Sequence, residues 1–252
     1  MVYVRPKKHL GQHFLTDANI ARKIAASVPE VSSLPLLEIG PGKGILTEYL
    51  LDAFGKEFYA VEIDPEAAAV LKERFPELGE RLITGDFLTL PLEELFPHQV
   101  GLAGNLPYNI SSQIFFRLLD HYSRIPFMVC MVQKEVAERI ASPGGNKDYG
   151  ILSVLLQAYY TVEYLFTVNE KVFSPPPKVK SAVIRLIRKE TLPGCDFGKM
   201  KNLVKAAFNQ RRKMLRNSLS AYPELLEKFP SVAELRPENL SVEDFISLAQ
   251  VL

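Results

Sequence analysis

Leu36-Leu37-Glu38-Ile39-Gly40-Pro41-Gly42-Lys43-Gly44 decides how this 252-residue chain folds. A short, largely apolar run leads directly into a glycine-rich turn, and the turn opens a helix. Glycines there let the backbone approach a ligand and make the strand-to-helix turn without a Cβ clash. A tight structural turn would use the same residues, so the stretch alone does not name a ligand. Its G-x-G-x-G spacing is one residue short of the G-x-G-x-x-G dinucleotide fingerprint. A nicotinamide enzyme also places its pyrophosphate on the helix N-terminus. Glu38, the acid before the first glycine, suits a cationic ligand better than a diphosphate.

Working outward, short apolar runs alternate with helical patterns, which marks a parallel sheet with crossover helices. Further strands are expected at Phe58–Ile63, Arg81–Ile83, Val100–Ala103 and Phe127–Val132. Two later β-rich runs, Tyr159–Val168 and Ala182–Ile187, suit a hairpin at the far sheet edge. Asp17 is a plausible N-cap for a helix over 18–28. Asp64-Pro65 is a cap followed by proline at the first helical position, and Ser111 is expected to cap 112–121. Near Thr191-Leu192-Pro193-Gly194 the alternation stops and the remainder reads helical. The expected domains are therefore 1–190, an α/β Rossmann-like sheet, and 191–252, a small all-α C-terminal domain.

Acids follow successive strands. Glu62 closes the second strand, 22 residues after Gly40, where a carboxylate can accept both ribose hydroxyls of an adenosine. Asp86, after the third strand, stands where a carboxylate can accept a bond from an adenine amino group. Asp64, next to Pro65, is better explained as a helix cap. Together with Glu38, this constellation favours S-adenosylmethionine, which has an adenosine and a sulfonium but no phosphate, over a nicotinamide cofactor. The fold class expected is a class I S-adenosylmethionine-dependent methyltransferase.

Bulk composition excludes other classes. At 47% hydrophobic and 23% charged the chain is an ordinary globular protein, and no stretch approaches 18 consecutive apolar residues. The start, Met1–Lys8, lacks the apolar core of a signal peptide, so a cytoplasmic location is expected. Two cysteines and four scattered histidines give neither a disulfide framework nor a metal-ligand spacing, so no metal site is expected. Net charge is only +1, but it is unevenly spread. Lys199–Ser218 holds seven basic residues and no acid, whereas six acids stand against Lys228 and Arg236 from Pro223 onward. That asymmetry suits a surface facing a polyanion, although a solvated helix face would look the same.

Asn105-Leu106-Pro107-Tyr108 follows the fourth strand, at the carboxyl edge where ligands bind in such sheets. An exocyclic adenine amine is a poor nucleophile because its lone pair is delocalised into the ring. The Asn105 side-chain oxygen and the Leu106 carbonyl could accept its two N–H bonds and draw the nitrogen toward sp³. Tyr108 would offer a π-face to an extruded base. Taken alone, the tetrapeptide also fits a surface turn with a packed tyrosine.

Five ordered segments remove that isolation: Gly11–Leu15, Glu38–Thr47, Asn105–Ser111, Phe173–Ser181 and Arg211–Leu219. Together they resemble the ribosomal RNA adenine dimethylases, in particular their bacterial small-subunit branch, and the resemblance runs from about Arg5 to the C-terminus. It implies that His13 and Leu15 help close the cofactor pocket, that Gly40 lies against the cofactor, and that Glu62 holds its ribose. It further implies that Asp86 binds the cofactor's adenine, that Asn105 lies between cofactor and target, and that Phe173 is a second aromatic wall opposite Tyr108. The family more often has Asn where this chain has His13; both side chains donate hydrogen bonds. The implied substrate is a pair of adjacent adenosines in a hairpin loop near the 3′ end of 16S rRNA, within the small (30S) subunit. The protein is expected to act as a monomer.

If 199–219 is one helix at 100° per residue, Lys201, Lys205, Arg212 and Arg216 fall within about 60° of one another and form an RNA-binding stripe. Leu203, Val204, Ala207, Met214 and Leu215 would form the packing arc, and a break near Asn209 would disturb the phase. Three rivals stand beside this reading. One is a large-subunit (23S) rRNA methyltransferase of the antibiotic-resistance type, which shares the cofactor and base segments. A nicotinamide oxidoreductase gives no reason for Asn105–Tyr108. A non-catalytic ribosome-assembly or transcription factor would not need Glu62, Asp86 and Asn105 together.

Overall fold

The structure, a computed structural model, describes residues 4–29, 31 and 33–252. The reading of the N-terminus therefore falls partly, at Met1–Tyr3, outside the described residues. The first strand, β1 (Phe14–Leu15), is followed by α1 (Ala18–Ala25), whose first turn is capped by the Asp17 carboxylate accepting from Asn19 and Ile20 N–H. The doubly wound part then runs β2 (Leu36–Ile39), α2 (Ile45–Phe54), β3 (Phe58–Glu62), α3 (Pro65–Arg74), β4 (Leu82–Thr84), α4 (Leu92–Leu95), β5 (Gly101–Asn105), α5 (Ser111–Asp120) and β6 (Phe127–Gln133). It continues through α6 (Lys134–Ala141), α7 (Ile151–Tyr159), β7 (Tyr160–Val168), β8 (Phe173–Ser174) and β9 (Ser181–Arg188). Helices α8 (Phe197–Asn209), α9 (Leu215–Ser218), α10 (Pro223–Lys228) and α11 (Val242–Ala249) complete the chain.

Seven strands form one sheet in the order β4-β3-β2-β5-β6-β9-β7. The pairs from β4 through β6 are parallel and β9 joins β6 antiparallel, so the two late β runs do occupy the far edge. All four residues of β2 are buried, as expected for a strand covered on both faces by crossover helices. β1 and β8 form a separate antiparallel pair, with Phe14 opposite Ser174 and Leu15 opposite Phe173. From β2 the next strands, β3 and β4, are added on one side, and β5 and β6 on the other, so the strand order reverses between β2 and β5 and places the β2 turn and the end of β5 at the topological switch point, where ligands bind.

Two compact units divide the chain: 1–137 with 163–187, and 138–162 with 188–252. The helical unit thus takes in 138–162, which the sequence reading gives to the first domain. Its interior explains why: Tyr149 and Tyr159 are fully buried, and Phe208 lies 6.0 Å from Tyr149 and 5.9 Å from Phe245 between ring centroids. Those rings join Tyr149, just ahead of α7, to Phe208 on α8 and Phe245 on α11, a packing between distant segments that no local pattern in 138–162 announces.

Two local expectations change. Ser111 is the first residue of α5, not its cap; its hydroxyl donates to the Tyr108 carbonyl at 3.2 Å. The basic segment is not one helix. α8 ends at Asn209, and the N–H groups of Leu215 and Arg216 go to the carbonyls of Leu235 and Ala233. Tertiary backbone bonds thus replace the helical ladder there, which destroys the single stripe of Lys201, Lys205, Arg212 and Arg216. Met214, placed on the packing arc by the helical phase, is 38% exposed, whereas Leu203, Val204, Ala207 and Leu215 are fully buried.

Candidate active site

β2 delivers the chain to Gly40, whose φ of +66° is open to glycine and strained for other residues. A Cβ built there would meet nothing within 4 Å, so the backbone faces open space rather than packed protein. That space is a cleft lined by His13, Gly40, Gly42, Glu62, Ile63, Asn105, Leu106 and Tyr108, among others. An adjoining recess is lined by Leu15, Glu38, Gly40, Lys43, Leu46 and Asn105. Residues from the ends of β2, β3 and β5 therefore meet at the switch point.

Glu62 is held firmly. Its Oε2 accepts from Gly42 N–H and its Oε1 from Asp64 N–H, both at 2.9 Å. Burial pushes this carboxyl above the ordinary range, and those backbone donors oppose the shift. Each oxygen keeps a lone pair for a further donor, as ribose recognition requires. Glu38 is 2% exposed, accepts from the Thr47 hydroxyl at 2.7 Å, and is pushed up to about 8 by burial. A cation in the recess would favour its ionised form.

Around the second half of the cleft, the Asn105 side-chain nitrogen donates to the His13 carbonyl at 3.0 Å. Leu106 has its side chain buried and its N–H bonded to the Met131 carbonyl, which fixes the turn. The Tyr108 hydroxyl is paired with the buried Ser181 hydroxyl, and its ring lies 5.4 Å from the His13 ring at 27°. His13 Nδ1–H donates to the Pro175 carbonyl at 2.8 Å, leaving Nε2 on the other side of the ring.

His13, Gly40, Glu62, Asn105, Leu106 and Tyr108 thus converge on one cleft, with Leu15 in the recess beside it. Asp86 and Phe173 line neither. Asp86 is half-buried beyond β4, and its Oδ1 accepts Leu88 N–H at 2.9 Å, so part of its carboxylate is spent on a turn. The Phe173 ring, 4% exposed, is packed into the main core with Leu15, Val168 and Val183. The aromatic group against Tyr108 is His13 rather than Phe173, because β8 pairs with β1 and turns Phe173 inward. Ile63 was missed by sequence reasoning. It lines the cleft with 44% of its surface exposed, and an exposed apolar residue directly after the Glu62 acid was the available signal. Gln12, Leu10 and Phe14 also line the cleft; their proximity comes from the N-terminal segment folding across the sheet edge.

Sheet order, switch-point cleft and paired acids define a Rossmann-like methyltransferase, and comparison with known proteins narrows this. Residues 4–252 match the family described as ribosomal RNA adenine dimethylase. The ribosomal RNA small subunit methyltransferase A of Parabacteroides distasonis is 54% identical over all of this chain and 95% of its own length. The protein of the same name from Porphyromonas gingivalis is 55% identical over all of this chain and 99% of its own. Among solved structures, a dimethyladenosine transferase from Plasmodium falciparum superimposes with a TM-score of 0.81 at 29% identity, covering 94% of this chain and 96% of that one. The 23S rRNA methyltransferase ErmE superimposes with a TM-score of 0.68 at 27% identity, covering 94% and 99%. The chain belongs to the ribosomal RNA adenine dimethylase family, and is an enzyme of the methyltransferase class. No helix among the described residues is long and apolar enough to cross a membrane.

Proposed function

We propose that this protein transfers methyl groups from S-adenosylmethionine to N6 of two adjacent adenosines in a hairpin loop near the 3′ end of 16S rRNA, giving N6,N6-dimethyladenosine. It does so as a cytoplasmic monomer acting on the small (30S) ribosomal subunit. The observation that carries the chemistry is the Asn105 amide. With its nitrogen tied to the His13 carbonyl, its oxygen is the group left to accept from a ligand in the cleft.

The residues present fit the cofactor. Gly40 leaves room for it, Glu62 presents two fixed oxygens for ribose hydroxyls, Ile63 offers an apolar surface to the adenine, and Glu38 lies buried behind the recess. Asp86 is the acceptor proposed for the adenine amino group, through the oxygen that Leu88 does not use. His13 and Leu15 close the pocket from the N-terminal side. When bound, S-adenosylmethionine supplies an electrophilic methyl group on a sulfonium. In the first transfer Asn105 Oδ1 and the Leu106 carbonyl accept the two N6–H bonds, which localises the nitrogen lone pair; in the second, one of them accepts the single N–H left on the monomethylated base. Tyr108 holds the base by stacking. The methylated ammonium is acidic and passes its proton to solvent, so no strong base is required. Phe173 contributes as the second wall only if its ring leaves the core on base entry; His13 fills that place in the structure.

For the substrate, the names of the closely similar relatives favour the small subunit. In the helical unit, Lys201 and Lys205 on α8, Arg212 in the following turn and Arg216 on α9 are proposed to take rRNA phosphates as separate contacts. The deciding experiment offers labelled S-adenosylmethionine with under-methylated small subunits, large subunits and naked rRNA, then maps the product. Dimethyladenosine confined to small-subunit rRNA is expected, and label in large-subunit rRNA would overturn the assignment.

A further inference from the structure

Asp64, read from sequence as a helix cap, does more than cap α3. Its carboxylate is fully buried. Oδ1 accepts from Glu66 N–H at 3.0 Å and from Lys7 Nζ at 2.7 Å, while Oδ2 accepts from Gln12 Nε2 at 3.0 Å. Gln12 closes the ring, because its Oε1 accepts from Lys7 N–H at 2.8 Å. The Asp64 main-chain N–H is one of the two donors that orient Glu62. One residue therefore fixes the ribose acid through its backbone and the N-terminal segment through its side chain.

That segment is held at its other side by the turn that carries Asn105 and Tyr108. Asn109 Nδ2 donates to the His9 carbonyl at 3.1 Å, and Asn105 Nδ2 to the His13 carbonyl at 3.0 Å. Gly11 has a φ of +63°, and a Cβ there would lie 2.3 Å from Asn109 Oδ1, so the strap presses directly on the Asn105–Asn109 turn. The His13 ring then covers one side of Tyr108. A helix cap needs only the Glu66 bond, and so does not account for Lys7 or Gln12. Burying the Asp64 carboxylate against the partly exposed Lys7 ammonium is also a costly way to anchor this segment when an apolar contact would serve. Burial pushes the Asp64 carboxyl upward, but Lys7 and Gln12 outweigh it and hold it below its ordinary range.

We infer that Lys7, Gln12 and Asp64 form a latch that sets residues 7–13 as a bridge between Glu62 on the cofactor side and Asn105 and Tyr108 on the target side, so that filling either subsite strengthens binding at the other. This rests on the function proposed above. Lys7 and Asp64 are positioning residues: neither touches the reacting atoms, and they act through Glu62 and His13. Because binding linkage is reciprocal, the effect must be equal in both directions.

The test uses the full chain, with S-adenosylhomocysteine and under-methylated small subunits as ligands, each titrated with and without the other. In the wild type, each ligand should raise affinity for the other about five- to tenfold, within the usual span of coupled sites. Lys7→Met should lower affinity for S-adenosylhomocysteine and abolish the mutual enhancement, with tryptic cleavage after Lys8 no longer slowed by the analogue. Lys7→Arg should restore all three. Asp64→Asn keeps a good helix cap while removing the charge, so it should lose the enhancement without unfolding. A wild type with no enhancement, or Lys7→Met and Asp64→Asn that retain it in full, overturns the latch. Failure of the wild type to bind the analogue or to methylate small subunits would instead overturn the proposed function.

Discussion

The Asn105 side-chain nitrogen donates to the His13 carbonyl at 3.0 Å, 92 residues away in sequence, and this bond decides which end of the amide faces the cleft. Asn105→Ala should therefore bind S-adenosylhomocysteine and ribosomal subunits yet transfer almost no methyl. Loss of a preorganised electrostatic contact of this kind costs about 2.7–4 kcal/mol of barrier, or roughly a hundred- to a thousand-fold in rate. Single-turnover transfer to saturating under-methylated subunits, with mono- and dimethyladenosine resolved by mass, measures it. Near-normal dimethyladenosine formation would refute the mechanism.

Tyr108 separates ring from hydroxyl. Tyr108→Ala should weaken base capture, since base–aromatic stacking contributes about 1–3 kcal/mol. Tyr108→Phe keeps the π-face and should remain active, but it strands the fully buried Ser181 hydroxyl. That change should lower stability by about 1–3 kcal/mol, the usual range for an orphaned buried polar group. Chemical denaturation beside the activity assay distinguishes the two effects, and an inactive but fully stable Phe variant would show that the hydroxyl, not the ring, matters.

Glu62→Ala and Asp86→Asn probe the cofactor side. Removing Glu62 should weaken S-adenosylhomocysteine binding about ten- to a hundred-fold, the equivalent of about 1.5–3 kcal/mol for hydrogen bonds to a charged acceptor. It should also lower stability, because Gly42 and Asp64 N–H lose their acceptor. Asp86→Asn keeps an oxygen for Leu88 N–H and so should weaken the analogue without that stability loss. Calorimetric titration that finds both affinities unchanged would sink the cofactor assignment.

Glu38 makes stability depend on pH. Its carboxyl is raised from 4.5 to about 8 by burial, so the folded protein keeps a proton that the unfolded chain releases. Its contribution is fully present below about 4.5, is lost progressively as pH rises, and is gone above about 8. Glu38→Gln in the ligand-free protein should flatten that decline while keeping an acceptor for the Thr47 hydroxyl. Denaturation midpoints from pH 5 to about 9 measure it; parallel slopes for variant and wild type would show that Glu38 does not titrate in this window.

The basic residues of the helical unit should govern affinity for RNA and leave the cofactor alone. Lys201→Glu, Lys205→Glu and Arg212→Glu, combined with Arg216→Ala, should abolish binding to ribosomal particles. Alanine is chosen at 216 because a glutamate there would face Glu234, which now pairs with Arg216 at 3.2 Å. Wild-type affinity should fall steeply with salt, and single replacements should make the slope shallower by about one per lost phosphate contact. Normal methylation by the combined variant would reduce these residues to a solvated face.

Much of the site was legible because its signals are local. A glycine turn after a buried strand, an acid closing the next strand and Asn105–Tyr108 after β5 each announce themselves within a few residues. Parallel topology then carries them to one edge whatever the side chains around them do. Phe173 and the basic stripe were misplaced for the opposite reason. A linear motif and a helical period carry no information on distant partners, and here β1–β8 pairing turns Phe173 inward while bonds from Leu215 and Arg216 to Leu235 and Ala233 break the helix carrying the basic residues.

By itself, the sequence determined the strand–turn–helix units, their order and the residue types at each strand end, because backbone propensity, glycine conformations and burial periodicity act over short stretches. Tertiary structure alone decided what depends on partners distant in the chain. It gave 138–162 to the helical unit through Tyr149 and Phe208. It set the Asn105 amide by a bond to His13, and it made Asp64 the meeting point of Lys7, Gln12 and the Glu62 site. Apart from the short Asp64–Glu62 link, those are hydrogen bonds and packings between segments tens of residues apart, and no local pattern encodes which donor will arrive at which acceptor.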